Sequence, residues 1–175
     1  MKNIIQDLVA YSGKNPVRML YTIFLNLGFH MTFWYRVAHF FYKCHLGIVS
    51  KIIMFFHKII YSVDFDYRAK IGGGFRVMHG LGIVIGCEVV IGKNVALYQG
   101  VTLGGNFGKT KVICGKETGQ PYLHDGVTVF AHGMIFGPCE IGENAEIGAG
   151  TVVTKDVPAN TRIYTKSEKV MVEIV

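Results

Sequence analysis

Residues 123–153 read LHDGVTVFAHGMIFGPCEIGENAEIGAGTVV, and within them Leu123, Val129, Ile135, Ile141, Ile147 and Val153 stand six apart without a slip. The same spacing runs upstream through Ile85, Ile91, Leu97 and Leu103, and a glycine follows the aliphatic residue at Gly86, Gly92, Gly104, Gly142 and Gly148. Six residues at 3.6 per turn carry a position far round a helix, so no α-helix keeps such a series on one face. An antiparallel sandwich of alternating strands has no reason to hold one period over six units. A solenoid does. If each six-residue unit is one flat side of a triangular coil, its aliphatic residue points inward at every repeat and stacks on its equivalents in neighbouring coils. Small residues and glycines are then expected at the tight corners, where positive φ costs only Gly and Asn little. The expected fold is mostly β, a parallel β-helix built on hexapeptides.

The period also marks boundaries. It is lost from 105 to 122, as where a loop is extruded from a solenoid, and long loops in compact folds usually carry function. Before residue 64 it is absent, and the composition changes with it. Residues 1–63 hold seven basic side chains (Lys2, Lys14, Arg18, Arg36, Lys43, Lys51, Lys58) against one acidic, Asp7, and the remaining chain holds eleven of each sign, so the net charge of +6 belongs to the first third. Three of the 22 glycines precede residue 64. We expect a basic, apolar helical region over 1–63, a β-helix domain over 64–167 with an extruded loop at 105–122, and a C-terminal tail strand at 168–175.

With 50% hydrophobic and 17% charged residues and a mean hydropathy of +0.34, a disordered chain is excluded. The longest uncharged stretch, Met19 to Tyr35, is broken by Thr22, Asn26, Gly28, His30 and Thr32, which a bilayer would leave unsatisfied. No apolar run leads to a cleavage site near the N-terminus, and Cys44, Cys87, Cys114 and Cys139 fit neither a disulfide framework nor a zinc knuckle. A cytoplasmic protein is expected, with the inner face of the membrane as a further location. The helices of the first third have apolar residues around most of their surface, and Lys51 and Lys58 fall seven apart on one face. Packing against partner subunits and resting on anionic lipid both fit. The cations are too sparse and too embedded in apolar residues for a nucleic-acid surface.

The residues also carry a resemblance. VDFDYRAKIGGGFRVMHGLGIVIG (63–86), VTLGG (101–105) and EIGAGTVVTKDVPAN (146–160), with WYRVAHFFYKCHLG (34–47) in the helical part, resemble the serine acetyltransferase branch of the hexapeptide acyltransferases. The pattern looks nearest to the serine-acetyltransferase-like O-acetyltransferases of surface polysaccharide pathways. The resemblance implies a left-handed β-helix, a homotrimer with its sites between subunits, and acetyl-CoA as co-substrate. His79 stands where the six-residue phase slips by two, and composition alone leaves it open between a corner residue and a base. The resemblance implies that it is the general base that deprotonates the acceptor hydroxyl, with Asp64 as the carboxylate that orients it and Asp66 as the competing candidate. It assigns the acetyl-CoA groove to Gly104, Gly105, Ala131 and Ala149, whose small side chains would let the pantetheine lie against the backbone. Lys109, Lys111 or Lys155 could meet the nucleotide phosphates.

Three positions depart from that family. Its aspartate before the histidine is Met78 here, its Arg-His pair before Pro121 is Gly119-Gln120, and its N-terminal Asp-Pro is Asn15-Pro16. All three losses remove charge that a zwitterionic amino acid would need. From this we expect a sugar hydroxyl as acceptor, with Met78 and Gln120 lining its site, and serine O-acetylation for cysteine biosynthesis as the alternative. No metal is expected: a β-helix metalloenzyme needs three histidines converging on zinc, and His79, His124 and His132 lack that spacing.

Overall fold

The computed structural model describes residues 2–166; the tail strand expected at 168–175 lies outside them. Four helices come first: α1 (Lys2–Ser12), α2 (Pro16–Leu25), α3 (Leu27–Lys43) and α4 (Gly47–Tyr61). Asn15 and Asn26 start α2 and α3, each side-chain oxygen accepting a backbone N–H three residues on, from Arg18 at 3.1 Å and Phe29 at 2.9 Å. Asn15, where the resemblance places a charged residue, is thus a helix cap with Pro16 in its favoured first-turn place.

The left-handed parallel β-helix follows. Its first coil is β1 (Asp64–Phe65), β2 (Lys70–Ile71) and β3 (Arg76–Val77), and its second is β4 (Val84–Ile85), β5 (Val90–Ile91) and β6 (Ala96–Leu97). The third begins with β7 (Thr102–Gly104), extrudes β8 (Lys111–Ile113) and β9 (Lys116–Thr118), and continues as β10 (Tyr122–Leu123) and β11 (Thr128–Val129). Next come β12 (Met134–Phe136), β13 (Glu140–Ile141) and β14 (Glu146–Ile147), then β15 (Val152–Val153) and β16 (Arg162–Ile163). Strands from successive coils pair in parallel into three sheets, which we name A (β1, β4, β7, β12, β15), B (β2, β5, β10, β13) and C (β3, β6, β11, β14, β16).

All ten aliphatic residues of the two six-residue series are buried in one core. A second inward column stands two residues before them: Ile83, Val89, Val95, Val101, Val127, Cys139 and Ala145 are buried as well. Contrary to the expectation from the sequence, the glycines after the aliphatic residues do not serve positive φ. Gly92 is there because a Cβ would stand 2.7 Å from the backbone of His124 in the next coil. Positive φ falls two residues later, in a column of Gly74, Asn94, Gly126, Asn144 and Asn160, which are the residue types that tolerate it. The extruded segment is an antiparallel hairpin whose turn residues, Cys114 and Gly115, both have positive φ as a tight two-residue hairpin turn demands.

In this solenoid the strand N–H groups of each coil donate to carbonyls of the following coil, as Asp64 N to Ile83 O at 2.8 Å and Lys70 N to Val89 O at 2.9 Å, while some corner N–H groups donate back, as Asn94 N to Gly73 O at 2.9 Å. The strand carbonyls of the first coil are therefore left over, and α1 and α3 supply donors to them and to neighbouring turn carbonyls. Tyr35 Oη donates to Ala69 O at 2.6 Å, His39 Nδ1 to Tyr67 O at 2.8 Å, and the Arg36 guanidinium to Ile71 O and to Gly72 O. Arg36 is in turn held by Asp7, with Nε to Oδ2 at 2.9 Å, and Asp7 also accepts the Phe75 N–H at 3.0 Å. Tyr11 Oη accepts the Val77 N–H at 2.5 Å. Burial pushes the Asp7 carboxyl above its ordinary range although Arg36 and two backbone amides pull it down, so desolvation wins. The pair fixes geometry more than it adds free energy, and removing one partner strands the other. Asp7→Ala is accordingly expected to lower stability by about 3–5 kcal/mol, seen as a shifted urea midpoint at neutral pH; an unshifted midpoint would show that the first coil closes without this pair.

Candidate active site

His79 lies in a two-residue insertion of the corner between β3 and β4, in the left-handed region at φ 54° and exposed. The insertion is braced from behind. A Cβ on Gly80 would stand 2.3 Å from Met31 Sδ, so a larger residue here would displace the Met31 tip by which α3 presses on the insertion. The Met31 carbonyl accepts from His57 Nε2 of α4 at 3.1 Å, which leaves the buried Nδ1 as a lone pair without a partner among the described residues. Burial pushes His57 down to about 4, outweighing the opposite pull of the Met31 carbonyl and of Asp64, so this imidazole is neutral at physiological pH.

Beside His79 runs a ladder of aromatic rings that the sequence reading missed: Tyr98 with its centroid 6.3 Å from the imidazole, then Phe130 at 5.2 Å from Tyr98. The signal was present, because Tyr98 and Phe130 fill the place after an aliphatic residue that glycine takes elsewhere. The Gln99 side chain, at the same corner, has a buried Oε1 without a hydrogen-bond donor among the described residues. Ala131 and Ala149 follow along this edge. At about 4.8 Å per coil they lie roughly 10 and 15 Å from the His79 level. Met78 precedes His79 on the same edge, its N–H donating to Leu97 O at 2.8 Å.

The remaining expected cofactor and substrate residues stand on the other edge of sheet A. Gly104 ends β7, Gly105 opens the extruded loop against Gly119 and Gln120, and Lys155 is exposed beyond β15. Lys111 of the hairpin pairs with Asp156 at 2.5 Å, tying the loop to that edge. Gln120 is turned onto its own chain: its Oε1 accepts the Glu88 N–H at 3.1 Å and its Nε2 approaches Cys87 Sγ at 3.7 Å. Within one chain the structure thus groups His79, Met78, Ala131 and Ala149 on one edge and Gly104, Gly105, Gln120 and Lys155 on the other.

Asp64 on β1 is exposed and pairs with Lys58 Nζ at 2.5 Å; no hydrogen bond joins it to His79. Its approach to the insertion is anchored, since Gly82 N donates to Ser62 O at 2.9 Å. Asp66 is committed elsewhere. Burial raises its carboxyl, but the Arg68 side chain at 2.7 and 2.9 Å outweighs that and holds it low. His124 pairs with Glu140 at 2.6 Å on sheet B, away from the His79 and His132 corner.

The chain is similar to the serine acetyltransferases of Bacillus pumilus (33% identity, covering 98% of this chain and 77% of that one) and Helicobacter pylori (33%, 97% and 94%). The Synechococcus elongatus serine acetyltransferase matches at 36% over 78% of this chain, which spans 53% of that protein. Among solved structures, the Entamoeba histolytica serine acetyltransferase isoform 3 with cysteine superposes at a TM-score of 0.85 with 26% identity, covering 99% of this chain and 61% of that one. The Neisseria gonorrhoeae enzyme with serine gives 0.83 at 30% (97% and 68%), and a serine acetyltransferase with CoA gives 0.80 at 30% (94% and 66%). No family model matches. These findings overturn the expectation of a sugar acceptor and of a place in polysaccharide biosynthesis: chain-long similarity runs to serine acetyltransferases, and three altered positions do not outweigh it.

Because the His57 proton is bound more tightly in the unfolded chain, stability is full above about pH 6.5 and is expected to fall toward pH 4, by about 3 kcal/mol for the shift to about 4. His39, lowered by burial, adds in the same sense. Urea midpoints measured across that range should slope for wild type and flatten for His57→Asn; parallel slopes would show that His57 does not titrate in this way.

Proposed function

The chain belongs to the serine acetyltransferase family, and on that premise we propose that it transfers an acetyl group from acetyl-CoA to the hydroxyl of serine. The observation that carries the reading is the division of the site residues between the two edges of sheet A, which fits a site closed by two copies of the chain. The outward column of sheet A supports a homotrimer packed through this face: after Asp64 it is Val84, Thr102, Met134 and Val152, without a charge. The outward columns of sheet B, with Lys70 and Glu140, and of sheet C, with Arg76, Glu146 and Arg162, are charged. Phe107 and Val112 of the extruded segment are exposed in the single chain, as suits a loop that reaches a neighbour. Packing about a three-fold axis then sets the His79 edge of one copy against the loop edge of the next.

In this reading the serine hydroxyl gives its proton to the His79 imidazole as its oxygen bonds the thioester carbon. When the adduct collapses the carbon–sulfur bond breaks and the imidazolium returns the proton to the CoA sulfur. Asp64 serves as the carboxylate that steadies that imidazolium. Its exposed pair with Lys58 is no obstacle, because surface ion pairs contribute only about 0–1 kcal/mol. Ala131 and Ala149 leave the backbone open to the pantetheine, Gly104 and Gly105 form the opposite wall, and Lys155 meets the phosphate end. Serine is held here with fewer counter-charges than the family's pattern supplies, at Met78 and at Gly119-Gln120.

Thiol release from acetyl-CoA should rise saturably with L-serine and yield O-acetylserine by mass. His79→Ala should lose about 10²- to 10⁴-fold while keeping its oligomeric mass; absence of serine-dependent release from the wild-type protein would refute the reading. Gly119→Arg with Gln120→His should lower the KM for serine by at least about tenfold, because a hydrogen-bonded charge partner in a binding site contributes about 2–5 kcal/mol. An unchanged KM would show that the carboxylate is held elsewhere.

A further inference from the structure

The helical region is inside out. In α2 the one buried residue is Thr22, and in α4 the buried residues are Ser50, Met54 and His57. Met54 apart, with Ile53 and Tyr61 packed at the core's edge, the large apolar side chains of both helices mostly face away from the protein. On α2, Val17, Leu20, Tyr21 and Phe24 recur at helical spacing and are 57–75% exposed; on α4, Ile48, Ile52, Phe55 and Ile59 form a second stripe at 53–76%. Phe56 and Ile60 widen the second stripe. Two such stripes on helices of 10 and 15 residues exceed the scattered apolar exposure of an ordinary soluble surface.

The unpaired charges beside them are cations. Lys14 and Arg18 flank the α2 stripe and Lys51 the α4 stripe, all exposed, while Lys58 at the end of α4 is paired with the exposed Asp64. The region's one carboxylate, Asp7, is buried under Arg36, so the surface of residues 2–63 presents cations and no acid. A second copy of the chain laid on these faces would bring cation against cation. A bilayer surface bearing anionic headgroups supplies both complements, an apolar layer for the stripes and negative charge for their rims. No helix of the described residues is long and apolar enough to cross a membrane, so the contact is one of helices lying in the interface. We propose that α2 and α4 dock the protein on an anionic lipid surface. This inference is independent of the identity of the acceptor.

Flotation of the full-length protein with vesicles tests it. The protein is expected to float with phosphatidylcholine vesicles containing about a third phosphatidylglycerol and far less with phosphatidylcholine alone, the difference fading as salt screens the charges. Lys14→Gln with Arg18→Gln should weaken partition about 25-fold, at about fivefold per cation, while thiol release from acetyl-CoA is unchanged. Phe24→Ser with Phe55→Ser should abolish flotation at unchanged oligomeric mass. Equal flotation with both vesicle types, or none while the protein remains active, overturns the proposal. So does an assembly whose mass halves with Phe24→Ser and Phe55→Ser and which ignores vesicles, for the stripes would then pair copy to copy.

Discussion

A parallel solenoid whose strands pass their hydrogen bonds on to the next coil begins with strand carbonyls that no coil can satisfy, and this protein is arranged around that deficit. Buried backbone acceptors left without donors are costly. The helical region supplies the donors from Tyr35, Arg36 and His39, three residues within five positions of α3, so one face of one helix covers the open end of the β-helix. Asp7 of α1 then fixes Arg36 and reaches the Phe75 N–H, which locks a second helix onto the same coil. The Tyr-Arg-x-x-His spacing in this helix has a physical reason: positions i, i+1 and i+4 of a helix lie on neighbouring parts of one face.

The same cap shapes the chemistry. The His79 insertion interrupts the regular corner of the first coil, and a left-handed histidine in a two-residue bulge would have little to hold it in a free-standing solenoid. Here α3 presses on Gly80 through Met31, and α4 fixes α3 through the neutral His57 and through Ser50, whose hydroxyl donates to Ala38 O at 2.8 Å. The histidine is therefore presented by a packed helix pair rather than by a loose corner. The aromatic rings of Tyr98 and Phe130 continue the surface away from it along the edge that carries Ala131 and Ala149.

Much of this was legible in the sequence, and for identifiable reasons. The aliphatic residues from Ile85 to Val153 announce the solenoid because their period is incompatible with either a helix or an ordinary sheet, and His79 stands out because the period slips there. What was not legible depends on neighbours that are distant in the chain. The glycines after the aliphatic residues look like turn residues until Gly92 is seen against His124. Gln120 looks like a substrate ligand until its amide is found on Glu88 and Cys87. The hairpin at 111–118 has neither a six-residue period nor a strong alternation, and only the Cys114-Gly115 turn hints at it. The sugar acceptor expected from Met78, Gly119 and Gln120 gave local charge more weight than chain-long similarity warrants.

The central claim is that one site is completed by two copies of the chain across sheet A. Its most direct test is complementation between two inactive variants, His79→Ala on one edge and Gly105→Trp on the other, unfolded together and refolded as a mixture. If each site takes His79 from one chain and the loop edge from the next, the mixture regains about a quarter of wild-type serine acetylation, since in a closed ring of randomly mixed chains that share of interfaces joins two intact edges. A mixture as inactive as its parts, in assemblies of wild-type mass, would place both edges of a working site within a single chain.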